Sequence, residues 1–225
     1  MVVATTDKAM LEFHNVKVSD LRETVIACRN AMRTKMPEYT GEEFKASLPR
    51  AIALAKMGNG SGHTSWRKGI HVSFDMKYSQ YITKQFQRYH WFDYVSSSSL
   101  MHRLTAMPVD ENCGKYVSKQ AVLLLQEEID LYNYFKQEKV SEHTFVLRDK
   151  SEIHAETHEA VLYYQYMRCI QNCPMGYELF VRVSTNYEQL ATICKQRRHH
   201  KLKEDYAAFF KMVDSLPYAK ELIYG

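Results

Sequence analysis

From Ile70 to Met76 apolar and polar residues alternate without a break. Ile70, Val72, Phe74 and Met76 fall on one side, and His71, Ser73, Asp75 and Lys77 on the other. A period of two predicts a half-buried strand, here over Ile70 to Tyr78. The same alternation predicts strands at residues 8–18 and at Tyr177 to Ser184. Elsewhere the apolar positions recur at helical spacing. Leu21, Val25, Ile26, Cys28 and Met32 predict a helix behind a Ser19-Asp20 cap, and a second spans Glu42 to Lys56. It stops at Gly58-Asn59-Gly60-Ser61-Gly62, the sharpest break in the chain. Further helices are predicted over Ser79 to Phe92, from within Ser96–Ser99 through Leu104, over Lys119 to Gln137, and over Glu156 to Asn172 ahead of Pro174. Tyr187 to Arg197 and Lys201 to Leu216 follow, and Pro217 opens a last short helix. The fold class is therefore mixed α/β, helix-rich with a small sheet.

The chain's 225 residues suffice for one substantial core, so a single domain over 1–225 is expected. Hydrophobic content of 45% beside 25% charged residues is that of an ordered globular chain rather than a disordered one. Five cysteines, Cys28, Cys113, Cys169, Cys173 and Cys194, contain no CxxC pair. That pattern indicates neither a disulfide framework nor a zinc site, and no metal is expected. Residues 1–20 lack an apolar signal-peptide core, and no uncharged apolar run approaches the roughly 20 residues of a membrane span. A cytoplasmic, soluble protein without a membrane partner is the expectation. The net charge of +4 is modest, and the basic run Lys195-Gln-Arg-Arg-His-His-Lys-Leu-Lys203 is local. It fits an anionic small ligand better than a nucleic acid, and it fits a solvated helix face equally well.

Three local features carry candidate chemistry. Gln85 and Arg88, three apart on an expected helix, share a face on which an amide and a guanidinium converge. Ser96–Ser99 sit where one helix ends and another begins, a place for capping hydroxyls and, with the helix N–H groups, for an anion. His63, in Gly62-His63-Thr64-Ser65, offers an imidazole beside hydroxyls at the end of the glycine-rich loop. Each feature alone is common as plain structure; their closeness in sequence gives them weight. Tyr89, His90, Trp91, Phe92 and Tyr94 form an aromatic run that suits either ligand stacking or the core.

In this order, the Gly-His-Thr-Ser turn, strand, Gln85-x-x-Arg88 helix and tetraserine resemble the core of the flavin-dependent thymidylate synthases, the ThyX family. That family's signature runs R-H-R-x-x-S-x-N-x-x-S-x-R from the arginine of Q-x-x-R. Arg88 and Ser98 match it, whereas Tyr89, His90, Asp93, Val95 and Leu100 stand for its histidine, second arginine, first serine, asparagine and last arginine. Arg103 lies one helical turn after Leu100. A second likeness lies at Asn186, eleven residues before Arg197 and followed by Glu204-Asp205, with Lys201 in the family histidine's place. Before Cys173-Pro174, Ile170 takes an arginine's place and Arg168 lies nearby.

The resemblance implies a compact ThyX-like domain, a homotetramer with shared active sites, and an FAD-dependent methyltransferase. Such an enzyme converts dUMP to dTMP with methylenetetrahydrofolate and NADPH as co-substrates. By position, His63, Ser65, Arg88, Tyr89, His90 and Asn186 are implied to face the flavin, and Gln85, Ser97, Ser98, Ser99 and Arg197 to hold the nucleotide. Arg88 and Arg197 are the implied catalytic pair. The rewritten positions leave two alternatives open: a flavin- and folate-dependent pyrimidine hydroxymethyltransferase, or a silent relative that binds a nucleotide or a single strand.

Overall fold

The structure is a computed structural model that describes residues 11–58, 60–139, 144–146, 152–154 and 157–225. Contacts divide it into two compact units, one of residues 11–78, 82–97 and 180–225, the other of residues 79–81 and 98–179.

The first unit holds most of the four-stranded sheet. β1 (Leu11–Ser19) pairs antiparallel with β2 (His71–Ser79), Leu11 opposite Tyr78 and Ser19 opposite His71, with a bulge between His14 and Lys17. Residues 8–10 of the expected opening strand lie outside the described residues. β3 (Asp93–Ser97) pairs antiparallel with β6 (Glu178–Asn186), and the strand order is β1-β2-β6-β3. The alternation read from the sequence holds: Val72, Phe74, Met76 and Tyr78 are buried. On the opposite face the Arg182 guanidinium donates to Asp75 at 3.0 Å and to Ser73 at 2.8 Å, so the polar positions of β2 and β6 are cross-linked.

The buried face is aromatic. Phe74 meets Phe13 and Phe92 edge-on at 5.4 and 5.9 Å, and Phe86 stacks on Phe92 at 4.7 Å with planes 13° apart. Helix α8 (Lys203–Asp214) contributes Tyr206 and Phe209 to the same cluster. α1 (Leu21–Ala27) and α2 (Gly41–Ala55) precede the glycine loop. Thr40, not a residue of the expected span, caps α2 by accepting from the Glu43 N–H at 3.1 Å. The Ser19-Asp20 cap of α1 does not form, because Asp20 takes a left-handed backbone (φ 59°) with no side-chain cap bond.

Two expected helices are corrected. The helix over 79–92 is only α3 (Gln80–Phe86), since the chain must turn after Phe86 for Phe92 to stack back on it. The helix expected from the serines begins later, as α4 (Leu100–Arg103), because Ser96 and Ser97 end strand β3. At the sheet edge their hydroxyls stay exposed, so serine's preference for caps is overridden by backbone pairing with Arg182 and Val181.

The second unit is mainly the helix pair α5 (Lys119–Glu138) and α6 (His158–Gln171), with a small hairpin of β4 (Thr144–Val146) and β5 (Glu152–His154). Glu128 is buried on α5, and Gln165 and Arg168 of α6 each donate to its carboxylate at 2.6 Å. Arg168, the nearest arginine to the Cys173-Pro174 stop, is thereby committed to joining two helices. No described helix is long and apolar enough to cross a membrane.

Candidate functional site

The turn after the glycine loop is built on positive φ: Gly58, Gly60 and Gly62 lie at 86°, 84° and 78°, where a side chain is strained. His63 and Ser65 are exposed, and the Ser65 hydroxyl donates to the Gly62 carbonyl at 2.8 Å. The residues between and after them point inward. Thr64 donates to Glu188 Oε1 at 2.9 Å, and the Arg67 Nε donates to Glu188 Oε2 at 2.7 Å. Arg67 also donates to the Leu222 carbonyl at 3.0 Å. Burial pulls the Arg67 guanidinium below its ordinary value, and the Glu188 carboxylate opposes that fall. This buried pair escaped the sequence reading; a charged residue next to the helix cap at Asn186 was its only local signal.

Asn186 begins α7 (Tyr187–Arg197) as expected, accepting from the Gln189 N–H at 2.9 Å. Its side chain is thus a helix cap and is buried. Gln189 in turn accepts from the Trp91 backbone N–H at 3.2 Å, and Tyr187 donates its N–H to the Ile70 carbonyl at 3.1 Å. One helix start therefore fastens both the 63–70 turn and the 89–92 turn.

At the other end of α7 the two halves of the sequence signature meet. The Arg197 Nε donates to the Tyr89 hydroxyl at 2.8 Å, and that hydroxyl lies 3.1 Å from Gln196 Oε1, to which it donates. The guanidinium carbon lies 5.5 Å from the Tyr89 ring and 5.7 Å from the Tyr206 ring, both distances at which a cation is attracted to the ring face. Burial pushes the Tyr206 phenol up to about 12, outweighing the pull of Arg197. The His200 ring stands edge-on to Tyr206 at 4.9 Å. Burial first, then the Arg197 charge, holds this imidazole below its ordinary value and so favours its neutral form. The cluster is a fixed cation between two tyrosine rings, of which burial keeps Tyr206 un-ionised.

The remaining expected residues are placed as follows. Gln85 is half-buried on α3, and Arg88 lies exposed just past its end, so the two do not share a helical face. His90 is exposed, with its ring 5.0 Å from Trp91, and the Lys68 ammonium sits 4.3 Å over the Trp91 ring. The aromatic run therefore divides: Tyr89 and Phe92 are buried, while His90 and Trp91 face outward. Ser97 is exposed on β3. Ser98 and Ser99 belong to the helical unit, where Ser99 holds the N-cap place of α4 without a side-chain cap bond. A four-residue helix carries little dipole for an anion. Among the described residues no group of three or more His, Cys, Asp or Glu is placed to hold a metal.

No protein-family model and no curated protein sequence matches the chain. Solved structures do. Thymidylate Synthase X (ThyX) from Helicobacter pylori, in a structure with FAD and dUMP, superposes with a TM-score of 0.64 at 15% identity, covering 95% of this chain and 97% of that one. The chain has the ThyX fold. A second Helicobacter pylori ThyX structure, complexed with FAD and dUMP, gives 0.63 at 15% identity over 95% of this chain and 98% of that chain. A UMP/dUMP methylase, PolB from Streptomyces cacaoi, bound with 5-Br dUMP, gives 0.58 at 11% identity over 95% and 92%. The likeness covers 95% of this chain and 97% of the first of those structures. The mixed α/β class expected from the sequence agrees with it.

Proposed function

We propose that this chain is a flavin-dependent thymidylate synthase, methylating dUMP to dTMP with methylenetetrahydrofolate and NADPH. In this reading residues 1–225 act as one ThyX-like domain, within a cytoplasmic homotetramer. The observation that carries it is the bond between Arg197 and Tyr89, which joins the two separated parts of the signature across 108 residues. The FAD and dUMP in the ThyX structures of the same fold support the ligand classes, and the PolB methylase supports methyl transfer to a uracil nucleotide.

The donor set fits a phosphate-bearing flavin. Exposed Arg88, His90 and His63 supply a guanidinium and two imidazoles, Ser65 supplies a hydroxyl oxygen, and Trp91 supplies a flat ring beside them. When bound, FAD supplies the reducing equivalents that the protein's side chains lack. The chain's own groups bind and polarise. Arg197 is held by Tyr89, which donates on to Gln196, and has terminal N–H groups to offer a uracil carbonyl, where they stabilise negative charge as it develops on the ring. Its pre-set orientation lowers the entropy lost on binding. Tyr89, in the family histidine's place, accepts from the Arg197 Nε and donates on to Gln196, which keeps the guanidinium in register. Gln85, Ser97, Ser98 and Ser99 are assigned to the nucleotide, Asn186 to the flavin side as the cap that sets α7, and Arg88 to the reacting end.

Purified protein reconstituted with FAD is expected to absorb near ~450 nm, as an oxidised flavin does. Incubated with dUMP, methylenetetrahydrofolate and NADPH, it is expected to yield dTMP by mass. A 5-hydroxymethyl product would reassign the reaction, and absence of flavin binding would overturn both enzyme readings.

A further inference from the structure

The geometry points to a second anion site, on the far side of α7, that takes a small phosphate-bearing ligand. Ala191, Lys195 and Arg198 recur at helical spacing along one stripe of the helix, and Arg197 lies off that stripe. The stripe forms one wall of a cavity of about 360 Å³. Lys56, immediately after α2, and His199 complete its basic rim with Lys195 and Arg198. All four side chains are exposed, and none is in an ion pair with a described residue. Ala55, Ala191 and Ile223 make an apolar floor.

Three permanent cations and a histidine gathered around one concavity repel one another, and the wall of a cavity screens that repulsion less than open water does. An anion seated there removes the repulsion and accepts charge-assisted hydrogen bonds from several sides. Tyr224 and Gly225 also line the cavity, and the Tyr224 hydroxyl donates to Asp214 at 2.7 Å. The size is near the lower end of ligand pockets, roughly 300–1,000 Å³, which suits pyrophosphate or one nucleotide rather than a polymer. Cys194 also lines the cavity, but burial pushes its thiol up to about 12. The pocket therefore binds without offering a nucleophile.

This inference does not depend on the flavin reading, and its test uses neither flavin nor dUMP. Inorganic pyrophosphate is titrated into the full chain by calorimetry at low ionic strength, against the variants Lys195→Gln/Arg198→Gln and Arg197→Ala. Both substituted positions of the double variant are exposed on the helix surface, and thermal melting checks that it is folded. Wild type and Arg197→Ala are expected to bind alike, and the double variant at least about tenfold more weakly, since two hydrogen bonds to charged groups are lost. No binding to wild type, or equal binding by the double variant, overturns the site. So does binding lost in Arg197→Ala and kept in the double variant, which assigns the anion to the Tyr89 face.

Discussion

The two ends of α7 both carry polar and charged residues, and they put them to opposite uses. At the start, Asn186, Glu188 and Gln189 are buried and each accepts a hydrogen bond from the protein. At the finish, Lys195 and Arg198 are exposed, and Arg197 is half-exposed beside Tyr89. The helix dipole agrees with both arrangements, placing the Glu188 carboxylate near the positive end and the cations near the negative one. In the proposed reading a charged residue on this helix is structural or recognitive according to the end at which it stands, and burial separates the two roles.

The largest expected effect breaks the structural end. Arg67→Met leaves Glu188 buried without its cation and is expected to cost about 3–5 kcal/mol, read by denaturant unfolding. The double variant Arg67→Met/Glu188→Leu is expected to recover much of that loss, since a well-packed apolar pair often matches a buried ion pair. A single-variant loss below about 1 kcal/mol would mean that the pair is no anchor. Next comes the recognitive end. Arg197→Ala is expected to abolish dUMP binding while FAD remains bound, and unchanged dUMP affinity would falsify the placement of the nucleotide there. Tyr89→Phe removes only the hydroxyl between Arg197 and Gln196; a stability loss of about 1–2 kcal/mol and weaker dUMP binding are expected.

A smaller effect is tied to pH. The folded state holds His200 below its ordinary value, so the unfolded chain takes up a proton first as pH falls. The contribution of neutral His200 is fully present above about pH 6.5 and is lost as pH drops below it. His200→Gln is expected to flatten the stability profile in that range, and an unchanged slope would remove His200 from the cluster. Smallest of all, Lys195→Gln/Arg198→Gln is expected to change stability by no more than about 0.5 kcal/mol.

How much of this was legible in the sequence follows the range of the interaction. β2 was plain because its alternation is local, and α7 because Asn186 caps it directly and its last residue is Arg197. Strand β3 was missed because it runs along the sheet edge, where Val95 and the serines are exposed and no alternation marks them. The end of α3 was missed because the stacking of Phe86 on Phe92 sets it, and a tertiary contact leaves no periodicity. In the candidate site, the spacing of Asn186 and Arg197 foretold the helix and its terminal guanidinium. The engagement of Arg197 by Tyr89 was not foretold, nor was the pairing of Arg67 with Glu188, since partners 108 and 121 residues apart are chosen by the fold.

The Arg67–Glu188 pair also sets a schedule for the growing chain. Arg67 is made 121 residues before Glu188, and 155 before the Leu222 carbonyl that it also contacts. At about 5–20 residues per second, translation leaves roughly 6–24 s between the guanidinium and its carboxylate. Through that interval the 63–70 turn has no counterion to bury against, so the sheet unit closes only after Glu188 and Leu222 have been made.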